Sequence, residues 1–200
     1  MKKIFALLMA LIMMSLTFAL AALPSKTSGD IATVGELVAD GDENKDIGGL
    51  LIIIVEDETV DETLEEIAEF TKEKTPFEFF PEDVQKAIAE KLGSDYDPKA
   101  LELNEFVALD VIGYEPDKYG SVMAPFTFET EYKVGQRVFP VLGFYDNGEE
   151  VEWVTLGDEF FEGEVQEDGS LNITFEDALL ARMDASPSIA MALLSTPAAE

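Results

Sequence analysis

Hydrophobic and polar positions follow several rhythms along the chain. Ile31–Val38 and Leu50–Val55 read as strands joined by the polar loop Ala39–Gly49. The second is a continuous apolar run rich in β-branched residues, which predicts a strand covered on both faces. A helical period follows. Thr59-Val60-Asp61-Glu62 has the form of a capping box, in which the Thr hydroxyl and the Glu carboxylate serve the free amides of a new helix. Leu64, Ile67, Ala68 and Phe70 or Thr71 then make an apolar stripe, and Pro76 ends the helix. Pro81 suits the first turn of a second helix, with Val84, Ile88 and Leu92 facing the core and Gly93 stopping the run. Phe106–Tyr114 returns to strand, so this half reads as a small β-β-α-α-β unit of α+β class.

After Asp117-Lys118-Tyr119-Gly120 the pattern is nearly all strand. Ser121–Glu131, Arg137–Tyr145, Glu150–Leu156, Phe160–Val165, Ser170–Phe175 and Ile189–Leu194 are separated by turn signals. Asp146-Asn147-Gly148 is a tight-hairpin sequence, because Asn-Gly tolerates the positive φ that such turns need, and Glu167-Asp168-Gly169-Ser170 is a second turn. Glu176–Met183 predicts one or two helical turns between sheets. The spacing predicts an all-β, immunoglobulin-like sandwich with Trp153 buried in its centre, Val151 and Thr155 sharing its face.

The N-terminal run adds an address. Lys2 and Lys3 precede the apolar stretch Ile4–Phe18, and Ala19-Leu20-Ala21 supplies the small-x-small pattern of a signal-peptidase site. The expected organisation is therefore a signal peptide at 1–21, an α+β domain at 22–118 and an Ig-like β-sandwich domain at 119–200. The mature protein is expected to be secreted and free of the membrane after cleavage.

Composition narrows the chemistry. The chain has 200 residues, 42 Asp+Glu against 13 Lys+Arg, a formal net charge of −29, and neither His nor Cys. Removing 1–21 takes away Lys2 and Lys3 and no acid, which leaves 42 acids against 11 bases. No thiol nucleophile, imidazole base, Ser-His-Asp triad, zinc finger or haem His ligand can be built from this set. The charge repels phosphate backbones, so nucleic acid is not an expected partner. A 47% hydrophobic composition is too apolar for a disordered acidic tail. Residues 22–118 hold 26 acids and 8 bases and residues 119–200 hold 16 and 3, so the charge belongs to the whole surface.

Few residues single themselves out. Asp40, Asp42, Asn44 and Asp46 place oxygen ligands at alternate positions, as Ca²⁺ loops do, but Lys45 stands where an EF-hand needs Gly and Leu51 where it needs Glu. A solvated acidic loop is the simpler expectation. Glu129 and Glu131, and Glu150 and Glu152, share strand faces, yet a carboxylate hydrolase needs its pair across a cleft. A charged outward sheet face explains them more simply. Phe77, Phe79 and Phe80 cluster before Pro81, and Phe160 adjoins Phe161 on an expected strand, where neighbours point to opposite faces. Packing is the expected role of both clusters. Asn172-Ile173-Thr174 matches a three-residue glycosylation sequon. No phosphate loop or dinucleotide fingerprint is present, and no cofactor is expected.

Leu23-Pro24-Ser25-Lys26-Thr27 behind the signal peptide, Phe79-Phe80-Pro81-Glu82-Asp83-Val84-Gln85, Leu103-Asn104-Glu105-Phe106 and the terminal β unit with Val151-Glu152-Trp153 resemble extracellular proteins of clostridial-type gut anaerobes. That resemblance implies export and a C-terminal sandwich module, and it assigns no functional residue. The expected function is that of a secreted, non-enzymatic interaction protein whose partner is an extracellular protein or glycan. Loops Tyr145–Glu149 and Gly157–Asp158 are the expected contact positions. A carboxylate-dependent hydrolase and a Ca²⁺-dependent adhesion module are the alternatives.

Overall fold

Two heptapeptides, Val138–Phe144 (β6) and Ile189–Ser195 (β10), are buried at every position. A strand buried on both faces must lie in a middle layer, and that requirement organises the molecule. The computed structural model describes residues 32–42, 45, 47–146 and 151–198. Among them the chain is mixed α+β, with ten strands in two antiparallel sheets and three α-helices.

The middle sheet is ordered β3-β4-β10-β6-β7, with β3 at Leu51–Val55, β4 at Glu102–Ile112 and β7 at Glu152–Thr155. The outer sheet runs β1-β5-β9-β8, with β1 at Thr33–Val34, β5 at Ser121–Thr127, β9 at Leu171–Glu176 and β8 at Glu164–Val165. Strand β2 (Val38–Ala39) also pairs with β5. Between the sheets Val107, Leu109, Leu142, Phe144 and Met191 meet Val122, Phe126, Leu171, Ile173 and Phe175. The other face of the middle sheet, with Phe106, Ala108, Val141, Ala190 and Ala192, is covered by α1 (Glu58–Phe70), a 3₁₀ turn at Pro76–Phe79 and α2 (Glu82–Leu92).

The helices begin where local chemistry allows. Helix α1 starts at Glu58, and its cap is Asp57, whose Oδ1 accepts the amides of Thr59 (2.9 Å) and Val60 (3.2 Å). The cap expected at Thr59 is thus displaced by a carboxylate two residues earlier, which serves the amides of the first turn and suits the positive helix N-terminus. A reciprocal box forms instead at Thr75 and Glu78. Helix α2 buries Val84, Ile88 and Leu92 and ends at Gly93, where φ is 76°. Helix α3 (Asp177–Ala185) buries Leu180 and Met183.

Three expectations change. Leu51–Val55 of the run Leu50–Val55 forms β3, but β3 is an edge strand of the middle sheet, and Leu51 is 52% exposed. Trp153 packs on the helical side of the middle sheet, edge-on to Phe80 at 5.1 Å, and not between the sheets. Its ring lies over Gly143, directly across from it on β6, where a Cβ would come within 2.7 Å of the indole. A sheet buried on both sides offers two homes for a large aromatic, and the helix side has the glycine and alanines that leave room. Lastly, strand pairing crosses the division expected near residue 118. Strands β1 and β2 pair with β5, and β4 pairs with β10 between Glu102 and Leu109, so both sheets draw strands from 22–118 and from 119–200.

Candidate functional site

The two sheets differ on their outer faces. Helices cover the middle sheet, whereas the outward face of the outer sheet carries an open cleft of about 810 Å³. Its floor follows from strand alternation. Val122, Ala124 and Phe126 of β5 and Leu171, Ile173 and Phe175 of β9 point into the sandwich. Their neighbours Ser121, Met123, Asn172, Thr174 and Glu176 therefore point outward. Register aligns them into rows: Val38 beside Met123 and Met123 beside Thr174, with Ser121 beside Glu176 and Glu164 beside Asn172. The Asp40–Gly41 turn, Glu159 and Phe160, and the start of α3 at Asp177 and Ala178 complete the lining.

The lining contains five carboxylates, of Asp40, Glu159, Glu164, Glu176 and Asp177, and no Lys or Arg. Two are fixed. Asp40 accepts the Ser121 amide at 2.7 Å and the Lys45 ammonium, and these bonds, the lysine's foremost, hold its carboxyl below the usual range. Gly120 makes room for it, since a Cβ there would meet Asp40 Oδ1 at 2.3 Å. Asp177 Oδ2 accepts the Tyr114 hydroxyl at 3.1 Å, while its buried Oδ1 has no hydrogen-bond partner. Burial, and then this bond, raise the Tyr114 phenol above its ordinary value. The Glu176 carboxylate lies against Gly157, where a Cβ would approach Oε1 to 2.4 Å. Glu159, Glu164 and Glu176 form no ion pair among the described residues.

The expected site residues scatter. Asp40 stands on the cleft rim, and the Asp42 amide bonds Ala39 O at 2.9 Å. Asn44 and Asp46 lie outside the described residues, among which no group of three or more acids is placed to hold a metal ion. Glu129 and Glu131 are exposed, Glu150 lies outside the described residues, and Glu152 accepts from Arg182 at 2.8 Å. Tyr145, expected on a contact loop, is instead buried, and its hydroxyl donates to Thr63 Oγ1 at 2.6 Å. Burial pushes that phenol up to about 12. Asp146 receives Ser186 and Arg182, and residues 147–150 of that loop lie outside the described residues.

Phe77 and Phe80 are core, and Phe79 stacks edge-on to Trp153. Only Glu164–Val165 of the expected strand 160–165 forms a strand; Phe160 ends the turn closed by its amide to Gly157 O, and Phe161 follows it. Phe161 turns inward onto Phe139, while half-buried Phe160 lines the cleft. The alternation of Ser121, Met123, Asn172 and Thr174 was the one signal for the cleft floor. It does not reveal which strands are neighbours.

Fold and site together define a mixed α+β protein, a two-sheet sandwich with one helix-covered face and one open acidic face. No protein-family model matches the chain, and neither a curated protein nor a solved structure matches it significantly. No helix among the described residues is long and apolar enough to cross a membrane.

Proposed function

We propose that this is an exported, non-enzymatic binding protein whose contact surface is the cleft on the outer sheet. In this reading residues 1–21 direct export, and the mature chain acts outside the cell among extracellular proteins of the kind it resembles. Its face-to-face sheets serve as an Ig-like sandwich does, as a rigid frame that presents a sheet face and its bordering loops. The observation that carries the reading is the open face itself: four strands in register, floored by Met123, Asn172 and Thr174, with Phe160 at its side and, among the described residues, no helix laid across the floor. Rigid strands position such a surface better than loops do.

The hydrolase alternative needs two carboxyls flanking a substrate, one with a raised pKa. Asp40, on the cleft rim, is instead held below the usual carboxylate range by Lys45 and the Ser121 amide. A Ca²⁺-dependent module would draw on Asp40, whose two oxygens already serve Ser121 and Lys45.

The test uses immobilised mature protein, residues 22–200, on extracellular and cell-surface extracts. Wild type should retain a partner that Thr174→Trp, which fills the floor, loses and Glu65→Ala on α1 keeps. Retention unchanged by Thr174→Trp would refute the cleft as the contact surface. Hydrolysis of an ester or polysaccharide panel that disappears in Glu176→Gln would establish the enzyme instead.

A further inference from the structure

The cleft's chemistry specifies more than its shape. Five carboxylates border it, and the side-chain donors facing it are the Asn172 amide and the Ser121 and Thr174 hydroxyls. Acceptors so outnumber donors that a neutral glycan, which carries both in similar number, would cover carboxylates without compensating them. Desolvating uncompensated charge is costly. A ligand with several cationic groups reverses that cost, because each ammonium or guanidinium enters beside a carboxylate in a concave site that focuses the field.

The apolar parts of the lining fix the ligand further. Val38 and Met123 lie side by side on the floor, and Phe160 stands at the wall. They offer a place for the methylene stems of Lys or Arg, whose heads can then reach the rim, and Phe160 adds a ring face for a cation. The floor crosses β2, β5, β9 and β8, three inter-strand steps or roughly 14 Å. An extended peptide repeats its same-side residues about every 6.8 Å, so more than one basic residue can face this floor at once.

From the unpartnered sheet face and its charge complementarity we infer that the cleft docks an extended basic peptide segment of a protein partner, with Lys or Arg at alternate positions. The inference rests on the reading of the cleft as the contact surface and names its partner class. Glu159 and Glu164, exposed and without an ion pair among the described residues, are the principal charge contacts, and Met123 and Phe160 take the side-chain stems.

A chain of this net charge attracts any polycation, so the experiment must separate the cleft from the surface at large. The probe is a doubly capped octapeptide alternating Lys and Ser, titrated calorimetrically into the mature protein. One-to-one binding is expected, weakened at least tenfold in E159Q/E164Q. The control E62Q/E65Q on α1 removes the same charge and should change affinity less than threefold. Both pairs are exposed, and matched thermal melts verify that the variants fold. Equal weakening by the two pairs would reduce the effect to diffuse charge attraction and overturn the inference. So would the absence of binding, or displacement of the peptide by a neutral oligosaccharide. If the peptide fails while Thr174→Trp still abolishes capture from extracts, the partner class is wrong and the contact surface stands.

Discussion

Glu78 shows how this protein uses one carboxylate among many. It accepts the Lys99 ammonium at 2.7 Å, the Thr75 amide at 3.1 Å and the Thr75 hydroxyl at 3.0 Å. Those bonds, the lysine's first, bring its pKa from 4.5 down to about 2. A carboxyl with a depressed folded-state pKa contributes stability above its unfolded value and loses it as pH falls through the folded value. The contribution should therefore be present above pH 4.5 and fade between there and about 2. In an acid titration followed by circular dichroism, Glu78→Gln should flatten the loss of stability over that window. An unchanged slope would mean the bonds are not maintained in solution. With 42 acids and 13 bases in the sequence, a cationic partner for every carboxylate is impossible. Where several unpaired ones gather in one concavity, charge becomes specific instead of merely solubilising.

The elements owe their positions to small residues as much as to large ones. The wall formed by Trp153, Phe79 and Phe80 closes over β6 only because position 143 has no side chain. Gly143→Ala should cost about 1–3 kcal/mol through overpacking, read as a lower denaturant midpoint with a shifted Trp153 emission. A neutral result would show that the indole does not lie on β6. This packing also marks the limit of what the sequence discloses. The stripe Val84, Ile88, Leu92 and the stop at Gly93 were legible, because helical period and capping are local. So were the strand spans Ser121–Glu131 and Ser170–Phe175, which contain β5 and most of β9. The edge position of β3 was not, since an apolar run reports only that burial is favourable and does not say on how many sides. Pairing across residue 118 was hidden for a related reason: turn residues mark where the chain bends and carry no record of which strand it rejoins. The cleft depends on the registers of β2, β5, β9 and β8, so its floor residues were visible singly and not as a site.

At the scale of the whole molecule, three layers assign three tasks. The helices seal one face, the middle sheet is core on both sides, and the outer sheet offers the remaining face to solvent. The overall charge discourages self-association and steers cations from a distance, an influence that salt screens within about 10 Å at 0.1 M. In the proposed reading, steering brings a basic partner near and the cleft decides where it stays. The most direct test follows backbone amide shifts of the isotope-labelled mature protein during titration with the alternating Lys-Ser octapeptide at 0.15 M salt. The account predicts saturable shifts concentrated at Ser121–Met123, Glu159–Phe160 and Asn172–Ala178, with α1 and α2 unaffected. Shifts spread evenly over acidic positions, those of α1 included, would contradict it.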